Sequence, residues 1–173
     1  MAPTVPLNDS PESPAVAAAE AQTTAPLRVS GIEAVARSRL LTVAANAPLV
    51  EVAALLSSAQ ISVVVVCDAA EAPLGTITET LLVRRLGLGQ ADFFSTLAGE
   101  VMTRGFATCA PGDLLSEVLA TMHDSGLVHI LLVGPGNKLL GVVNARDGLR
   151  ALLAAGNQEE VLLRNYVMGI GYQ

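Results

Sequence analysis

The residues best suited to chemistry lie close together in the last third of the chain: Asn144, Arg146 and Asp147, with His129 a short way upstream. Asp147 falls four residues after Val143, at the expected first turn of a helix. An ionised carboxylate there either accepts from the hydroxyls of a ligand or serves only to favour the helix dipole. Arg146 precedes it, at the helix end whose free N–H groups attract anions, so it is either a phosphate contact or a solvated arginine. The Asn144 amide both donates and accepts, which suits a ligand contact and an N-cap equally. His129 stands in a run of apolar residues. It is either a satisfied core or rim residue or a group that makes binding pH-sensitive near neutrality.

Machinery for catalysis is not visible in the sequence. There is no Walker loop, GxGxxG, CxxC, HExxH or GxSxG, and the cluster Gly134-Pro135-Gly136 reads as a hairpin turn. Two histidines and two cysteines are too few and too scattered for a standard zinc site. Cys67 and Cys109 each sit inside an apolar, strand-like stretch and are expected to be buried, reduced thiols. The chain is therefore expected not to be an enzyme and to hold no metal.

Composition narrows the class further. The 173 residues are 51% hydrophobic and 15% charged, with a formal net charge of −6, a single lysine (Lys138) and scattered arginines. A nucleic-acid grip needs clustered Lys and Arg, so nucleic acid is not an expected partner. No apolar run reaches the ~18–20 residues that a bilayer span requires. The N-terminal residues lack the basic and apolar regions of a secretory signal, and they carry Asp9, Glu12 and Glu20 before the first basic residue, Arg28. A cytoplasmic location is the expectation.

The elements that must position these side chains follow from the organisation of the chain. Residues 1–28 hold five prolines and seven alanines with no periodicity, which reads as a disordered leader. Beyond it the sequence repeats: displaced by 66 residues and without a gap, residues 35–86 match 101–152 at 11 of 52 positions. Each copy reads as a short strand, an amphipathic helix, a strand covered on both faces (Ile61 to Cys67; Leu127 to Val133), a third strand and a closing helix. Asp113 is expected to cap the amphipathic helix of the second copy, and Gly126 to end it in the left-handed conformation. The fold class is α/β of the α+β type: two β-α-β-β-α units spanning 29–90 and 91–156, then a C-terminal helix and apolar tail at 157–173.

That tandem unit resembles a pair of cystathionine-β-synthase-type (CBS) domains, a Bateman module, over about residues 30–173. Val101-Met102-Thr103-Arg104 is similar to the family's "VMT" entry segment, and Gly126 to Val133 resembles its "GIRHLPVV" strand. Gly141-Val142-Val143-Asn144-Ala145-Arg146-Asp147 resembles the "GhhT/S-x-x-D" ligand motif, and Asn165 to Gly169 the tail of many stand-alone members. The resemblance implies two motifs packed with pseudo-twofold symmetry, a disc-like homodimer, and a regulatory role with a protein target. It implies a cleft for AMP, ADP, ATP or S-adenosylmethionine, with no cofactor required beyond such a ligand. In that cleft Asp147 would hold the ribose hydroxyls, with Asn144, Arg146 and His129 nearby. Thr108, Ala107 and the backbone of Leu127 and Val128 would hold the adenine. The first copy departs from the pattern, with Leu81 at the place of Asp147 and Thr78 at that of Asn144, so one nucleotide per chain is expected. The tail, with Tyr166 and Tyr172, is expected to dock on its own module or at a dimer contact. The competing expectation is a ligand-free assembly or adaptor protein working through its leader and tail.

Overall fold

The structure, a computed structural model, describes the backbone of residues 25–169 and the side chains of 25–157. The expected leader up to residue 24 and the contacts of Tyr166 and Tyr172 lie outside the described residues. The elements run α1 (Glu33–Ser38), β1 (Thr42–Ala44), α2 (Leu49–Ala59), β2 (Val63–Cys67), β3 (Pro73–Thr78), α3 (Glu79–Gly87), α4 (Ala98–Val101), β4 (Thr108–Cys109), α5 (Leu115–Asp124), β5 (His129–Val133), β6 (Leu139–Asn144) and α6 (Ala145–Gly169). A 3-10 turn, Val29–Ile32, precedes α1.

Two three-stranded sheets form, β1-β2-β3 and β4-β5-β6, each with a parallel first pair and an antiparallel second pair. Their registers are copies of one another. Thr42 pairs Val65 and Thr108 pairs Leu131; Val63 pairs Thr78 and His129 pairs Asn144. Even the irregularity recurs, between Val66 and Cys67 and between Leu132 and Val133. The 66-residue displacement read from the sequence is thus the structural repeat, without insertion.

The central strands explain their own composition. Alternate residues of a strand point to opposite faces. In β2, Val64 and Val66 join the core beneath α2 and α3, while Val63, Val65 and Cys67 face the other sheet. In β5, Ile130 and Leu132 join the core of α5, while Leu131 meets β2 and Val142 between the sheets. Both faces are covered, so the apolar run lacks alternation.

The two packing units are not the two sequence repeats. Val29, Ile32 and Ala36, which precede the first sheet, are buried in the core of the second; Ala98, Val101 and Met102, which precede the second sheet, are buried in the core of the first. Leu27 and Arg28, the end of the segment read as a leader, belong to this exchange: Arg28 bridges to Leu114, and the Leu115 N–H donates to the Leu27 carbonyl at 3.0 Å. Close approach makes the exchange possible. A Cβ built on Gly141 would lie 2.6 Å from the Ala36 carbonyl carbon, and one on Gly75 would lie 2.7 Å from the Thr103 carbonyl oxygen.

Local expectations need two adjustments. Asp113 does not cap α5; its carboxylate accepts from the Ala110 N–H at 2.8 Å, closing a turn, and the helix starts two residues later. The closing helix and the C-terminal helix are one continuous α6, running through Gly156. Gly126, at φ +64°, does take the left-handed conformation after α5.

Candidate functional site

Because α1 packs on β6, the turn after α1 delivers Arg39 to the start of α6. Arg39 Nε donates to Asp147 Oδ2 at 2.9 Å and Arg39 Nη2 to Oδ1 at 3.2 Å, a two-bond ion pair joining positions 108 apart in the chain. The pair is asymmetric: the arginine side chain is 39% exposed and the aspartate side chain 8%. Asp147 is the buried charged residue among the described residues.

Asn144 ends β6 and caps α6: its Oδ1 accepts from the Arg146 N–H at 2.9 Å. That bond fixes the amide, leaving Nδ2 to donate to His129 Nε2 at 3.2 Å. Ser62 Oγ lies 3.0 Å from the same nitrogen. A neutral imidazole with its proton on Nδ1 presents the single Nε2 lone pair to these two groups. Burial and, to a smaller degree, the positive charge of Arg39 push the His129 pKa below the usual histidine range. The histidine is therefore held neutral in a satisfied rim position, bridging the two sheets.

These groups line a cleft of about 300 Å³, whose walls also include Gln60, Ser62, Val128 and Arg146. A second cleft, of about 480 Å³, is its pseudo-twofold counterpart and is lined by Thr76, Thr78, Thr80, Phe106, Ala107 and Leu127 among others. Ser62, Val63, Val128 and His129 border both. At the displacement of 66, Arg39 corresponds to Gly105, which lines the second cleft beside Glu79, and Asp147 corresponds to Leu81, which does not line it. Thr78 keeps the capping role of Asn144, accepting from the Leu81 N–H at 3.1 Å.

Five of the residues expected to form one site, Asn144, Arg146, Asp147, Val128 and His129, are together in the first cleft. Ala107 lines the other cleft, and Thr108 lies in a third depression beside Cys109, Asp113 and Glu117. The exchange explains the separation: the segment before β4 follows α4 onto the first sheet, where Thr76 and Thr103 bridge. Arg39, Gln60 and Ser62 were not legible as site residues. Sequence does hold a signal for Gln60 and Ser62, since 66 residues before Gly126 to His129 stand Gln60 to Val63.

Cys67 and Cys109 are both buried and unpaired, as expected. Burial, with a smaller contribution from Asp113, raises the Cys109 thiol to about 11; burial likewise raises that of Cys67, with Asp68 and Glu71 adding to it. Among the described residues no group of three His, Cys, Asp or Glu is placed to hold a metal, and no helix is long and apolar enough to cross a membrane.

Comparison with known proteins places this geometry. The model of the CBS domain family matches twice, over residues 32–87 and 98–154. Arabinose 5-phosphate isomerase KdsD of Yersinia pestis is 33% identical over 110 residues, which are 64% of this chain and 33% of that protein. The chain thus spans about a third of that relative's length. Among solved structures, the CBS domain pair of protein MJ0100, in complex with 5′-methylthioadenosine and S-adenosyl-L-methionine, superposes with a TM-score of 0.66 at 19% identity, covering 75% of this chain and 98% of that one. A CBS domain protein from Pyrobaculum aerophilum complexed with AMP gives 0.62 at 19% identity, covering 70% of this chain and 89% of that one.

Proposed function

This chain belongs to the CBS-domain family, as a tandem pair, and we propose that it is a regulatory module that binds an adenosine-containing ligand in the Asp147 cleft. CBS pairs are mostly regulatory modules, and structural neighbours of this fold hold AMP or S-adenosyl-L-methionine. The observation that carries the reading is the placement of Asp147. It is a buried carboxylate at the first turn of α6, opening on a cleft that also presents Arg39, Arg146 and the Asn144 amide. Vicinal ribose hydroxyls donate to such a carboxylate, and each charge-assisted bond contributes about 1.5–3 kcal/mol when desolvated. At the position matching Asp147 the first repeat has Leu81, whose side chain cannot accept from ribose hydroxyls, so we infer one nucleotide per chain.

Binding acts on the junction of the two units. Ligand contacts to Arg39 and to α6 touch segments that reach the cleft from different sequence repeats, so a ligand preferring one arrangement of these segments shifts the module toward it. The shift is limited by the ligand's differential affinity for the two states. We assign the readout to a homodimer or a protein target, and the module itself to binding and not to catalysis. A second reading, a ligand-free adaptor, draws on one observation: both Asp147 oxygens are already satisfied by Arg39. A melt separates the two. A ligand at 100 times its dissociation constant stabilises the fold by about 2.7 kcal/mol. The expected result is a rise in melting temperature with AMP that Asp147→Ala abolishes; no rise with AMP, ATP or S-adenosylmethionine favours the adaptor.

A further inference from the structure

The Arg39–Asp147 pair bears on which adenosine derivative the cleft accepts. One guanidinium bonds both carboxylate oxygens, at 2.9 and 3.2 Å. A ligand whose hydroxyls donate to Asp147 must share those oxygens or displace Arg39. A neutral nucleoside gives the displaced guanidinium nothing in exchange. A phosphorylated one supplies an anion, and the planar fork that fits a carboxylate also fits a phosphate. Charge in the cleft runs the same way: Arg39 and Arg146 line it against the single carboxylate of Asp147, in a chain of net charge −6. The pseudo-twofold partner cleft has neither member of the pair, with Gly105 and Leu81 at the two positions. Glu79 lines that partner cleft without any arginine or lysine, so the combination of a carboxylate with a guanidinium belongs to the Asp147 cleft.

We propose that Arg39 is the specificity-determining residue of the Asp147 cleft, an internal counter-ion that excludes neutral adenosine derivatives and transfers to the phosphate of a 5′-phosphorylated one. The inference rests on the reading of Asp147 as the ribose ligand and goes beyond it, since Arg39 lies in the first repeat and belongs to no ligand motif. Arg39 has two states, paired with Asp147 or with phosphate. Ligand entry therefore unties the turn after α1 from α6, the one side-chain ion pair joining the exchanged segment to the second repeat among the described residues.

The test is calorimetric titration of the full chain with AMP, adenosine and 5′-methylthioadenosine, for the wild type, Arg39→Gln, Arg39→Lys and Asp147→Ala. The wild type is expected to prefer AMP to adenosine by about 30-fold, the discrimination of one charge-assisted bond. Arg39→Gln, which keeps an N–H donor toward Asp147, is expected to bind AMP more weakly and adenosine more tightly, bringing the ratio below about 3-fold. Arg39→Lys, which keeps the charge, should retain most of the preference, and it supports the test if Arg39→Gln melts too low to titrate. An AMP-to-adenosine ratio unchanged in Arg39→Gln, with Asp147→Ala still abolishing binding, overturns the role of Arg39 and leaves the site intact. Binding unaffected by Asp147→Ala, or absent for all three ligands, overturns the site and the proposal with it.

Discussion

The unequal burial of the Arg39–Asp147 pair makes a prediction about stability that needs no ligand. Removing one partner leaves the other behind, and the two remnants differ. In Asp147→Ala the remnant is a guanidinium whose side chain is 39% exposed, which water can solvate where it stands. The loss is that of a half-exposed ion pair with two bonds, about 1 kcal/mol. In Arg39→Ala the remnant is a carboxylate whose side chain is 8% exposed. An uncompensated buried charge costs about 3–5 kcal/mol, and the N-terminal dipole of α6 returns up to about 1 kcal/mol of that. Arg39→Ala is therefore expected to lose about 2–4 kcal/mol, and the double variant about as much as Asp147→Ala alone. Urea unfolding of the four proteins measures these differences directly. Melting temperatures should follow at about 2–4 °C per kcal/mol for a chain of this size. Equal losses for the two single variants, or a larger loss for Asp147→Ala, would refute the burial argument.

Three further outcomes follow from other parts of the fold. Gly141→Ala puts a Cβ against the backbone of α1, which cannot yield as a side chain would. It should cost about 1–3 kcal/mol, read as a lower urea midpoint, whereas Gly112→Ala, with nothing within 4 Å, should cost far less. His129 has a lowered folded pKa, so its contribution to stability is fully present above the unfolded value near 6.5 and is lost as pH falls through the folded value. Wild type should thus lose stability more steeply than His129→Gln as pH falls below about 6.5, and parallel pH profiles would contradict this. Native Cys109, with its thiol at about 11, should react with a thiol reagent at pH 8 far more slowly than after denaturation; equal rates would show that the thiol is accessible.

The repeat was the most legible feature of the sequence because nothing is inserted in it. A gapless displacement carries strand registers, a bulge and a helix cap from one copy to the next, so Val63–Thr78 predicts His129–Asn144. The carboxylate, amide and histidine of the cleft were legible for a different reason: they lie on one strand pair and the helix that follows it. The exchange of α1 and α4 was not. Both are short amphipathic segments beside apolar sheets, and pattern alone does not say which of two similar cores a helix enters. That choice decided the rest. It moved Ala107 to the opposite cleft and put Arg39 beside Asp147, a pairing across 108 positions that local sequence cannot encode. The end of the leader was misjudged on the same ground, since Leu27 and Arg28 are held by backbone bonds to a partner far along the chain.

The central claim is that the Asp147 cleft, and not its pseudo-twofold counterpart, takes an adenosine-type ligand. Backbone amide shifts recorded by NMR during titration with AMP test it most directly, because the two clefts have separate reporters. The account predicts that the largest changes fall on Arg39, Arg146, Asp147 and Gly148, with Thr78 to Leu81 and Gly105 little changed. Changes concentrated at Thr78 to Leu81 and Gly105 would place the ligand in the cleft that lacks Arg39 and Asp147, and would contradict it.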